Sequence, residues 1–230
     1  MNSPSQTASP SQQSSQIVSA TQTAYDAIRN MIVTGELRPG TKLKIENLKE
    51  ILQTGASPIR EALSLLTSEQ LVERLDQRGF RTAPVSQQNF NEILNLRCAL
   101  EDMALRESIS NADDAWEEEL VLSHHRMSRT DAKDIPLFEE RHKSFHMALL
   151  ANCHSPILLH YCHQLYDLNV RYRYLAGRSQ NYGKRDVKRE HREIMEAAVA
   201  RDIERASEHL LDHYQQTGEF LRQSALVPSK

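Results

Sequence analysis

The sequence is poor in the residues on which sheet-rich, secreted and membrane proteins depend. Seven glycines and 6% aromatic residues in 230 leave few turn-formers for tight strand connections, which argues against an all-β fold. No apolar run approaches the roughly 18 residues of a membrane helix. The first residues lack a basic stretch followed by an apolar core, so no secretory signal is expected. Cys98, Cys153 and Cys162 are the only cysteines and form no CxxC pair. An odd count at irregular spacing points to free thiols in a reducing cytoplasm. Charge is absent from residues 1–21, "MNSPSQTASPSQQSSQIVSAT". That stretch is too polar to bury a core and reads as a disordered arm.

The net charge of −3 is uneven. Residues 22–85 hold nine Lys/Arg against eight Asp/Glu, and residues 86–230 hold 19 against 23. The asymmetry is mild; it permits nucleic-acid binding without requiring it.

Within residues 22–85, Tyr25, Ile28, Met31 and Ile32 recur at helical spacing from Gln22 to about Thr34, and Gly35 ends that run. "LRPG" makes a turn. A second helix is predicted over Ile45–Gln53. In "GASPIREALSLL", Ser57 reads as an N-cap and Pro58 as the first helical residue. "LVERL" and "GFRTAPV" then alternate apolar and polar residues about Asp76–Gly79, the pattern of a β-hairpin. Three helices and a hairpin predict a winged helix-turn-helix whose third helix enters the major groove. Residues 86–230 show no strand signal. Helices are predicted over 87–109, 113–129, 134–152, 155–177, 184–200 and 202–223, with Asn111, Asp113, Pro136, Pro156, Gly177 and Gly183 at their ends. The fold class is therefore mainly α, an N-terminal winged helix-turn-helix joined to a C-terminal all-α helical bundle.

Ten histidines all follow residue 123. His142 and His146, four apart, share one helix face. His191 and His213 would stand roughly 33 Å apart on one continuous helix, so they meet only if the chain reverses. "ARD" at 200–202 offers that turn, with Asp202 as the next N-cap.

"GELRPGTKL" and "SPIREALSLLTSEQLVERLDQRGFRTAPV" resemble the N-terminal signature of GntR-type transcription regulators. "LRCALEDMAL", "HKSFHMALLANCHSPIL" and "EHREIMEAAVARDIERASEHLLDH" resemble the all-helical C-terminal ligand domain of the fatty-acid-regulator branch. The resemblance spans about residues 22–222. "RHKSFHMAL" and "LYDLNVRYRYL" carry a narrower likeness to carbon-starvation-induced repressors of glutarate/4-aminobutyrate catabolism.

The resemblance implies specific roles. Of three arginines that the family places at its DNA surface, only Arg60 remains; Glu46 and Ala56 stand at the other two positions. Arg60 is the expected base or phosphate contact, with Ser57, Lys42, Lys44, Arg78 and Arg81 as further candidates. The family's metal site uses an Asp, a His four residues on and two later histidines. By position these fall on His142, His146, His191 and His213, so an imidazole replaces the carboxylate. Imidazole suits Zn or Ni, but the lost negative charge leaves three readings open: an occupied divalent-metal site, a metal-free polar pocket, and packed histidines. Arg97, with Glu101 four residues on, and Arg171 and Arg173 are candidate effector-binding residues, since a guanidinium can fork onto a carboxylate.

The expected function is a cytoplasmic, DNA-binding regulator, a repressor by expectation. It would bind double-stranded operator DNA as a homodimer and answer to a small mono- or dicarboxylate effector, with or without a metal. Residues 1–21 would be the arm, 22–85 the DNA-binding domain and 86–230 the effector-binding and dimerisation domain. Two alternatives stand beside it. One is a regulator for which the metal itself is the signal. The other is a His-rich metallohydrolase, which the absence of an HExxH unit disfavours.

Overall fold

A computed structural model describes residues 19–76, 78–131, 133–176 and 186–223. Helix α1 (Ala20–Val33) starts two residues before the expected Gln22, because the Ser19 side chain accepts from the Gln22 N–H and caps it. Ala20 and Thr21 thus belong to the helix and not to the arm, and the Thr21 hydroxyl bonds to Glu61 at 2.7 Å. Gly35, at φ +78°, makes the left-handed turn that follows.

Strand β1 (Lys42–Leu43), helix α2 (Ile45–Leu52), helix α3 (Ala56–Ser68) and strands β2 (Val72–Leu75) and β3 (Gly79–Thr82) come next. The antiparallel sheet runs β1-β3-β2, with Lys42 opposite Arg81 and Glu73 opposite Arg81 on its other side. The hairpin is as expected; β1 is not, since two residues carry no readable period. Thr82 holds the third strand in place: its hydroxyl donates to the Arg38 carbonyl at 2.6 Å and accepts from the Thr41 N–H at 2.9 Å. Strand β3 stops at Thr82 and not at Val85, and Ala83 N–H turns to the Leu71 carbonyl.

The start of α3 also departs from expectation. Gly55 is the N-cap, without a side-chain cap bond, so Ser57 and Pro58 are the second and third helical residues. Pro58 loses nothing there, because N–H groups throughout the first turn lack an intrahelical acceptor. Proline therefore marks a first turn and not a first residue. Ser57 Oγ sits 3.4 Å from Glu61 instead of capping, and Arg60 opens the second turn. Ile28, Ile32, Ile59, Leu63, Leu66 and Leu71 are buried between these helices. At roughly 1.5–3 kcal/mol for each such side chain, that apolar stripe holds the three-helix unit together.

Helices α4 (Gln87–Ser110), α5 (Asp114–Ser128), α6 (Ile135–Leu150), α7 (Pro156–Ala176), α8 (Val187–Val199) and α9 (Ile203–Gln223) complete the described chain, close to the six expected segments. The expected ends Gly177 and Gly183 lie outside the described residues. Ser86, Asp113, Asp134 and Asp186 each cap the helix that follows. Helix α9 lies close on α4, where a Cβ at Gly218 would collide with the Leu94 side chain. Trp116 Nε1 donates to the Ala148 carbonyl and ties α5 to α6.

After α8, Arg201 adopts φ +61°. The Asp202 N–H reaches back to the Ala197 carbonyl, and the Asp202 side chain accepts from the Arg205 N–H. This helix end reverses the chain in one turn. It is the reversal that His191 and His213 require. The cysteines are free thiols, and burial pushes Cys162 up to about 12. Among the described residues no helix is long and apolar enough to cross a membrane.

Candidate functional sites

On the DNA-reading unit, Ser57 and Arg60 are exposed on the face of α3 opposite its buried stripe. Lys42, Lys44 and Arg78 are exposed on β1, at the start of α2 and in the hairpin turn. Arg81 is only half-exposed and pairs with Glu73 at 2.6 Å.

In the helical bundle, α6 supplies His142 and His146, α8 His191 and α9 His213. All four are 4% exposed or less, and one nitrogen from each lies within 4.8 Å of the others. Burial, joined by the Arg173 charge, holds His142 well below the ordinary histidine range. Burial and the neighbouring imidazoles do the same for His146 and His191. The Nε2 atoms of His146 and His191 are buried without a hydrogen-bond partner. Buried polar atoms are nearly always paired, so neutral imidazoles with open lone pairs at one point suit a dication.

Their outer nitrogens are held by a buried polar shell. His213 Nδ1 lies 2.8 Å from Glu190 of α8. His146 Nδ1 lies 3.0 Å from the Tyr214 hydroxyl, which donates to Glu101. His142 Nδ1 lies 2.6 Å from the Tyr166 hydroxyl and 3.1 Å from Arg173. Such partners fix ring orientation around a metal.

The four expected effector residues divide. Arg97 and Glu101 adjoin the cluster but grip each other, at 2.6 and 3.2 Å, with Asn169 on a further guanidinium nitrogen at 3.0 Å. Arg173 adjoins it too, paired with Glu139 and bonded to Tyr166. Arg171 does not, and here the expectation is corrected. Its guanidinium donates to the Ala83 carbonyl at 2.8 Å, at the end of the hairpin. Residues two apart on a helix point roughly 200° apart, so Arg171 and Arg173 cannot share a pocket.

The expected pocket set lacks Tyr166, Asn169 and Tyr214. Tyr166, Asn169 and Arg173 follow one another at three and four residues along α7. Counting that period would have shown a polar face turned inward.

Helix α7 also touches the N-terminal unit. Asp167 pairs with Arg29 of α1 at 2.5 Å and with Lys143 of α6 at 2.6 Å. Tyr166 and Val170 pack with Val33, and the Tyr172 hydroxyl donates to Asn89 at 2.6 Å. One helix therefore contacts the histidine cluster, α1 and the segment joining the hairpin to α4.

Residues 20–81 match the model of bacterial regulatory proteins of the gntR family, and residues 92–216 match the FCD domain. The chain belongs to the GntR family. It is 37% identical to the HTH-type transcriptional regulator BphR of Paraburkholderia xenovorans, over 88% of this chain and 85% of that one. It is 33% identical to the HTH-type transcriptional repressor GlaR of Escherichia coli, over 82% and 90%. Among solved structures, E. coli McbR/YncC superposes with a TM-score of 0.79 at 24% identity, over 90% of this chain and 99% of that one; this likeness shows the fold alone. As a GntR-family member the protein is a transcriptional regulator and not an enzyme, which sets the metallohydrolase reading aside.

Proposed function

We propose that this GntR-family chain is a repressor that binds a near-palindromic operator as a homodimer and answers to a small carboxylate held in the helical bundle. In this reading residues 22–85 form the DNA-binding domain and residues 86–230 the effector and dimerisation domain. The observation that carries it is the convergence of four buried histidines, two with unpartnered Nε2 atoms, beside Arg173 and Arg97. Zn or Ni fits that donor set. A bound dication would supply a Lewis-acidic anchor for a carboxylate oxygen. Arg173 and Tyr166 stand behind His142 at that site. A ligand shifts the DNA-binding units only through unequal affinity for their arrangements, and α7 is the element both sites bias.

A thermal-shift series tests this. Mono- and dicarboxylates are expected to raise the melting point of chelator-treated protein only after Zn2+ or Ni2+ is restored. Equal shifts without metal would favour the metal-free pocket, and no shift with any carboxylate would reject the effector. Loss of operator binding on chelation alone would favour metal as the signal.

At the DNA surface, Arg60→Ala is expected to cost about 1–3 kcal/mol of specific operator binding, the worth of a bidentate base contact. Fluorescence anisotropy on specific and scrambled duplexes checks it. Unchanged specific affinity in a folded variant would remove Arg60 from the reading surface.

A further inference from the structure

The four histidines are not equivalent, and for three of them the partners say which nitrogen carries the proton. A carboxylate only accepts, so the Glu190 oxygen 2.8 Å from His213 Nδ1 requires a proton on that nitrogen. Tyr214 gives its own proton to Glu101, which Arg97 already grips. Its oxygen therefore accepts from His146 Nδ1. In both rings the lone pair is therefore on Nε2.

His142 is the reverse case. Arg173 Nη1 stands 3.1 Å from His142 Nδ1, and a guanidinium has only protons to offer. Arg173 Nη2 also donates to the Tyr166 oxygen at 2.8 Å, which turns the phenolic proton toward the same His142 Nδ1 at 2.6 Å. That nitrogen is an acceptor twice over. The ring proton must sit on Nε2, and a protonated nitrogen has no lone pair for a metal. The His142 ring nevertheless lies within the cluster, 4.5 Å from His146 and 4.8 Å from His191 between centroids.

We propose that His146, His191 and His213 hold the dication, and that His142 is a hydrogen-bond donor to the oxygen ligand that completes its coordination. This rests on the metal reading above and narrows it. A three-imidazole set leaves a coordination position open. An Nε2–H beside that position selects an oxygen that can accept, such as a carboxylate, over a ligand that offers only donors. Arg173 and Tyr166 are then positioning residues, which act by fixing the His142 tautomer.

Two measurements on the full chain test this. In chelator-treated protein labelled with 15N-histidine, long-range 1H–15N correlation spectra are expected to place the His142 proton on Nε2 and the His146 and His213 protons on Nδ1. A His142 proton on Nδ1 would overturn the proposal. In Zn2+ titrations, His142→Ala is expected to lower affinity by no more than about 10-fold, at the low end for a residue outside the ligand set, and His146→Ala by well over about 100-fold. His142→Gln keeps an N–H donor in place and is expected to stay near the parent, which guards against a folding defect in the alanine variant. Equal losses in His142→Ala and His146→Ala, or four imidazoles in the X-ray absorption spectrum of the Zn2+ form, would overturn the proposal while leaving the metal reading intact. A parent that takes up no Zn2+ would overturn both.

Discussion

Taken from about pH 7 to about pH 5.5, the chelator-treated protein is expected to lose on the order of 4 kcal/mol of unfolding free energy from three histidines alone. His142, His146 and His191 are buried and held well below their ordinary value of 6.5. The groups facing them are Arg173 and Arg97, the other imidazoles, and Glu190 beside His191. The folded chain keeps these three rings neutral through this window, whereas the unfolded chain protonates them as pH falls through about 6.5. The unfolded state then binds more protons, so acid favours it. The stabilisation is complete above that range and drains away below it, by about 1.4 kcal/mol per pH unit for each ring. Urea unfolding at a series of pH values reads the slope. Near-constant stability down to about pH 5.5 would mean that the rings are already charged or hydrated in the folded state. Zn2+ should steepen the dependence, because protons compete for the same lone pairs.

That quartet was legible in the sequence for a local reason. Helical spacing aligns His142 with His146, and a reversal at Ala200–Asp202 is written in capping residues that the structure uses. The hairpin was legible from alternation. What escaped was of two kinds. Strand β1 has two residues, too short for any period, and the α3 start was misread because proline fits anywhere in a first turn. The rest needed tertiary contacts. Tyr214 meets His146 across 68 residues, and Arg173 meets Glu139 across 34. No local rule pairs them. Arg171 and Arg173 look interchangeable in "NVRYRYL"; only the rotation of α7 sends one to the pocket and the other to Ala83.

The ion pair beside the cluster should be among the most costly places to cut. Arg97 is 3% exposed and Glu101 fully buried. Burial alone would lower the Arg97 pKa, yet the Glu101 carboxylate outweighs it and raises the guanidinium above its usual range. Asn169 takes one N–H, and the guanidinium lies 4.3 Å from the centre of the Tyr214 ring. Among these neighbours Glu101 alone carries a negative charge. Glu101→Ala leaves a buried cation with one amide acceptor, and is expected to cost about 3–5 kcal/mol, the usual penalty for removing one member of a buried pair. Arg97→Met alone should cost a similar amount, because Glu101 then keeps only the Tyr214 donor. The double variant Arg97→Met with Glu101→Leu is expected to lose much less than the sum, since no charge is stranded. A double-mutant cycle by urea unfolding measures that coupling. The cycle also separates stability from signalling. Without Glu101, the Tyr214 proton is free to turn toward His146 Nδ1, so Glu101→Ala should weaken Zn2+ binding as well. A Glu101→Ala variant within about 1 kcal/mol of the parent would show that water or another acceptor reaches Arg97, and that its grip on Glu101 is dispensable.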